Sequence, residues 1–184
     1  MRRCGLLLGG ALLLSACAHH LPEDNGLPPL VRITHEGEVV SHSEPEERVA
    51  RAVTCAYGRV REGDIYPVPG GFPAVVEAQF VDRFGVGSTE VTVFGGSLTE
   101  VPDDWNVRTT VVDGQYAEVA SRRYRGLGFG LGVKKVRFAV MPVAGSRDGQ
   151  STVKLTASAA DRKGRIARTT TPVMASPEVL CGSY

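Results

Sequence analysis

Ser151-Thr152-Val153-Lys154 sets a serine three residues ahead of a lysine, the spacing that lets an amine activate a hydroxyl when both stand on one helical turn. Here the flanking STVKLTASA alternates Val153, Leu155 and Ala157 as a strand does, and on a strand an offset of three puts the two side chains on opposite faces. Gly95-Gly96-Ser97-Leu98-Thr99 lacks the closing glycine of a nucleophile elbow. The histidines, His19, His20, His35 and His42, all precede residue 43, which leaves most of the chain without an imidazole base. Glu77, Asp82, Glu90 and Glu118 fall on separate β-prone runs, where acids ordinarily face solvent instead of converging on one bond. There is no CxxC, and His19-His20 alone makes no metal site. Pro102-Asp103-Asp104-Trp105 reads as an exposed turn with a half-buried tryptophan. The expectation is a protein that is not an enzyme and carries no metal or cofactor.

A second pattern suggests contact instead of catalysis. In RRYRGLGFGLGVKK, glycine recurs with period two at Gly126, Gly128, Gly130 and Gly132. A dinucleotide loop needs G-x-G-x-x-G between a strand and a helix, and no helix signal follows. Period two is the strand period, so Leu127, Phe129, Leu131 and Val133 would share one face while glycine strips the other. One reading is a buried strand that another backbone approaches closely. The other is a membrane or partner contact: Arg122, Arg123, Arg125, Lys134 and Lys135 bracket an apolar centre in which Phe129 can enter a headgroup region while the cations meet phosphates.

The N-terminus assigns a compartment. Arg2 and Arg3, then LLLGGALLL from Leu6 to Leu14, then small residues, follow the layout of an export signal, and the apolar run is too short to span a bilayer as a helix. Leu14-Ser15-Ala16-Cys17 resembles the lipobox of bacterial lipoproteins. That resemblance implies removal of residues 1–16, diacylglycerol on the Cys17 sulfur, a further acyl chain on its new amine, and, with Ala18 next, transfer to the outer membrane facing the periplasm. Acyl chains at about 0.8 kcal/mol per buried methylene would hold such a protein on its bilayer. Removing Arg2 and Arg3 shifts the formal charge from +1 to −1. Residues 17–47 then carry seven acids against Arg32, whereas residues 48–184 carry 18 bases against 13 acids, so an acidic leader precedes a basic domain. Nucleic acid is not an expected partner in that compartment.

With Cys17 lipidated, Cys55 and Cys181 remain, and an even remainder in an oxidising compartment reads as one disulfide. Loop-closure entropy over so long a separation corresponds to roughly 5 kcal/mol.

Residues 17–27 read as a flexible lipidated tether and residues 28–184 as one domain. SEPEERVARAVTCA, residues 43–56, predicts a short helix: Ser43 and Glu46 form a capping box, and Val49, Ala52, Val53 and Ala56 recur at helical spacing. Everything after it reads as strand and turn. PAVVEAQFVD and TEVTVF, joined by FGVGS, suggest a hairpin; VRTTVV and QYAEVA flank Asp113-Gly114, a strong hairpin signal; Val136, Phe138 and Val140 alternate on one face. VKLTASAADRKGRIARTTTPV is similar to the terminal hairpin of bacterial immunoglobulin-like domains. The fold expected is a single antiparallel β-sandwich, Ig-like or transthyretin-like, of about eight strands, with a small closed barrel as the alternative. The function expected is a non-enzymatic structural or binding component of an envelope assembly, the alternative being a ligand binder or an enzyme inhibitor. In the inhibitor reading, the inserting loop is Tyr66-Pro67-Val68-Pro69-Gly70-Gly71-Phe72-Pro73.

Overall fold

The computed structural model describes residues 26–44, 53–54, 60–61, 65–67, 73–125, 132–142 and 152–175. Its strands in chain order begin with β1 (Leu30–His35), β2 (Glu38–His42), β3 (Val53–Thr54), β4 (Val60–Arg61), β5 (Ile65–Pro67), β6 (Ala74–Asp82) and β7 (Val86–Phe94). They continue with β8 (Gly96–Leu98), β9 (Asn106–Val112), β10 (Gln115–Arg123), β11 (Gly132–Pro142), β12 (Lys154–Asp161), β13 (Ile166–Thr170) and β14 (Val173–Ala175). Two five-stranded sheets dominate, ordered β2-β1-β6-β11-β8 and β13-β12-β7-β10-β9, and every pairing within them is antiparallel. The sheets stack as a sandwich, and the closed barrel is ruled out.

Alternation builds the core. Val31 and Ile33 of β1, Val76, Ala78 and Phe80 of β6, and Val136, Phe138 and Val140 of β11 point inward from the first sheet. Val91, Val93, Ala120, Leu155, Ala157 and Ala159 meet them from the second. Phe80 and Phe138 have no exposed surface, and burying such side chains contributes about 1.5–3 kcal/mol each. Trp105 is a correction to the sequence reading: it is 7 % exposed, not half-buried. It plugs the core edge-on to Phe138, ring centres 5.4 Å apart, and also meets Phe80.

Two connections differ from expectation. The predicted FGVGS hairpin does not form, because β6 and β7 belong to different sheets. Asp82 Oδ1 accepts the N–H groups of Phe84 (2.6 Å) and Gly85 (3.1 Å), and Gly85 takes φ 99°, which turns the chain across the core instead of back along its own sheet. After β7 the chain crosses again at Gly95, where φ is 72° and an added Cβ would lie 2.3 Å from the Thr152 carbonyl oxygen. The glycine pair read as part of a failed nucleophile elbow is thus a sheet-to-sheet switch.

The predicted helix is not seen. Among the described residues there is no helix, and Val53–Thr54, near its expected end, is a strand paired with Val60–Arg61. Val53 therefore answers to a cross-strand partner and not to helical neighbours; residues 45–52 and 55–56 of the predicted helix lie outside the described residues. The hairpins at Asp113-Gly114 and at Asp161–Gly164 form as read. Asp113 (φ 50°) and Gly114 (φ 79°) both take left-handed backbone, the geometry a tight hairpin needs.

Candidate binding surfaces

The acids weighed for chemistry are kept apart. Glu77 lies on the outer face of the first sheet, where Gln79 Nε2 (2.7 Å), Lys135 Nζ (3.3 Å) and Arg137 Nε (3.7 Å) surround its carboxylate. Partial burial pulls its pKa upward, but the hydrogen bonds from Gln79 and Lys135 and the charges of Lys135 and Arg137 outweigh this and hold it below the usual glutamate value. Glu90 sits on the outer face of the second sheet, 3.8 Å from Arg108. Glu118 reaches between the sheets and accepts the Leu98 N–H at 2.7 Å, tying β10 to β8. Asp82 is buried in its corner. His35 is also buried, its ring edge-on to Tyr66 at 5.9 Å, and Tyr66 donates its hydroxyl to Glu38 at 3.3 Å. Lys154 is exposed at the start of β12, while Val153 before it is buried and bridged to Met174. Ser151, and residues 68–72 of the proline-rich loop, lie outside the described residues. Among the described residues no three His, Cys, Asp or Glu side chains are grouped to hold a metal ion.

The cations of RRYRGLGFGLGVKK divide into groups. Arg122 pairs with Asp104 and stands 4.9 Å from the Tyr124 ring centre, and Lys134 approaches the same ring at 5.9 Å. Arg123 and Arg125 are exposed. Lys135 points the other way, onto the outer face beside Glu77. Val133 is 53 % exposed, so the first apolar residue of β11 is not buried strand. Phe129 and its neighbours from Gly126 to Leu131, like Cys17, Cys55 and Cys181, lie outside the described residues.

Sequence reasoning did not single out the edge of the second sheet. β9 is the last described strand there, and Val107 (46 % exposed) and Val111 (56 %) face the core side of the sheet without being covered. Tyr116, directly across from Val111 on β10, is 80 % exposed. The same face holds Ala120, which is buried, so the stripe continues the core outward past β8, the edge of the first sheet. VRTTVV hides this signal because it places valine on both faces, and its alternation alone does not show which face runs past the opposing sheet.

The chain is thus a mainly β protein of two stacked antiparallel sheets, with its polar clusters paired internally and an apolar stripe at one sheet edge. It matches no protein-family model and no curated protein sequence.

Proposed function

We propose that this is an outer-membrane lipoprotein, anchored through Cys17 and facing the periplasm, that serves as a non-enzymatic structural or binding component of an envelope assembly. The observation that carries the binding role is the stripe Val107, Val111 and Tyr116 on an edge strand. An edge presents unpaired backbone groups, and apolar side chains beside it favour a partner that adds a strand or packs a surface there. The lipobox Leu14-Ser15-Ala16-Cys17 supports the anchor, and the Asp161–Gly164 return of β12 into β13 supports an Ig-like or transthyretin-like sandwich. Cys55 and Cys181 form its disulfide in this reading.

A photo-crosslinking residue in place of Tyr116, compared with one in place of Ser158 on the opposite face, tests the reading in intact cells. A discrete envelope-protein adduct from position 116 alone, lost with Val111→Asp, is the expected result. No adduct at 116, or the same adduct from both positions, refutes it. Palmitate labelling of the wild type and not of Cys17→Ala tests the anchor separately.

A further inference from the structure

Strand direction brings the chain entering β1 and a set of basic turns to one end of the sandwich. Leu30 opens β1 opposite Val81, and Val81 lies opposite Val133 just after β11 begins. In the second sheet the adjacent strands β12, β7 and β10 reach that same end at Asp161, Val86 and Arg123. Along it, in strand order, stand Arg162 and Lys163, then Arg83, then Arg123 and Arg125, all exposed. Neighbouring strands are about 4.8 Å apart, so these side chains form a short ridge. The ridge is braced: Val86 pairs with Asp161, and Tyr124 N–H donates to the Gly87 carbonyl at 2.9 Å.

The acids of these turns do not neutralise it equally. Asp82 and Asp161 are 8 % and 4 % exposed and face inward onto turn amides. Asp104 is paired with Arg122, and among the described residues Asp103 and Glu44 are the other exposed acids nearby. On the first-sheet side, Leu27 (61 % exposed) and Val133 (53 %) flank the ridge with apolar surface.

We propose that this end seats on the anionic headgroups of the bilayer that holds the chain's own anchor, so that the strands stand steeply on the membrane and the β9 edge is presented sideways. The inference rests on the reading of Cys17 as lipidated. The segment from Cys17 to Leu30 spans at most about 45 Å extended and about 20 Å as a coil. Both exceed the screening length of about 8 Å, so a tether alone leaves the domain's orientation free. Charge selects which end approaches, and each cation close to an anionic surface strengthens association about fivefold.

The test uses the full-length lipidated protein reconstituted into vesicles of phosphatidylcholine, with or without about a third phosphatidylglycerol. Amine acetylation read by mass spectrometry compares Lys163, at this end, with Lys154, at the far end. On anionic vesicles Lys163 is expected to label about fivefold more slowly relative to Lys154 than on neutral ones. The protection should vanish at about 0.5 M salt and in the combined Arg83→Glu, Arg123→Glu, Arg125→Glu variant, with the protein still sedimenting with vesicles. Equal relative labelling on both vesicle types by anchored protein overturns the inference and leaves the anchor standing. Protection seen in native envelopes but not on protein-free vesicles also overturns it, since the acidic surface is then a protein. Failure to sediment with either vesicle type, with no lipid on Cys17, removes the anchor and the inference together.

Discussion

The two ends of the sandwich use acidic residues in opposite ways. At the end where β1 begins, Asp82 and Asp161 are buried and fold their carboxylates back onto turn amides. Asp161 Oδ1 accepts the N–H groups of Lys163 and Arg165 at 2.8 Å each, and its other oxygen accepts from Arg165 Nε. At the far end, Glu36 and Asp113 sit in left-handed backbone (φ 50° each), followed by Gly37 and Gly114, with their side chains outward. An acid that caps its turn withdraws its charge from the surface, whereas an acid that merely tolerates a turn displays it. Among the described residues the difference leaves the first end basic and the second acidic, although both are built from turns that look alike in composition.

Removing the caps should break this contrast most severely. Asp161→Ala removes the carboxylate to which Arg165 Nε donates and strands the Lys163 and Arg165 amides, and is expected to cost about 3–5 kcal/mol by urea denaturation. Burial pulls the Asp161 pKa upward, but bonds from the Arg165 side chain and from the Arg165 and Lys163 amides hold it below the ordinary aspartate value. The unfolded chain therefore takes up this proton more readily than the folded one. Its stabilising contribution is complete above about pH 4 and drains away as the pH falls through the folded-state value. Stability measured from pH 6 downward should accordingly fall less steeply in Asp161→Ala than in the wild type; an identical acid limb would argue against the cap.

Asp82→Ala, which strands the Phe84 and Gly85 amides, should cost about 1–3 kcal/mol in the same assay. At the opposite end Asp113→Ala places alanine in left-handed backbone with no cap to lose, and about 1 kcal/mol is expected. A loss at Asp113 as large as that at Asp161 would erase the distinction between the ends. Glu77→Gln should be the mildest, within about 1 kcal/mol and shrinking in high salt, because Lys135 and Arg137 are 57 % and 77 % exposed.

Local signals led to the right local structure where the residues themselves fix the backbone. Asp113-Gly114 and Asp161–Gly164 encode their own turns through left-handed backbone and side-chain capping, so both hairpins were legible. Alternation identified the inward faces of β11 and β12, since a strand turns every second residue the same way. FGVGS misled because a short glycine-bearing link can return along one sheet or cross to the next; the choice depends on Asp82 capping the corner and on β7 finding β10 and β12 as partners. Val53 misled because valine at helical spacing also suits a strand, and pairing with Arg61 settles it. Of the candidate contact residues, Arg122 and Lys134 share Tyr124 while Lys135 faces away, a division that strand alternation predicts once the strand is known to start at Gly132.

Taken alone, the residue order determined that the chain is mainly β, where the Asp113-Gly114 and Asp161–Gly164 hairpins turn, and which side of β11 and β12 is apolar, because these follow from backbone sterics and from neighbours within a few positions. Only the tertiary structure decided which strands share a sheet, that Trp105 closes the core, that β9 carries an uncovered apolar stripe, and that exposed cations gather where β1 begins. Those features depend on pairings between distant segments, whose energies come from a whole opposing surface and are not encoded in any one stretch.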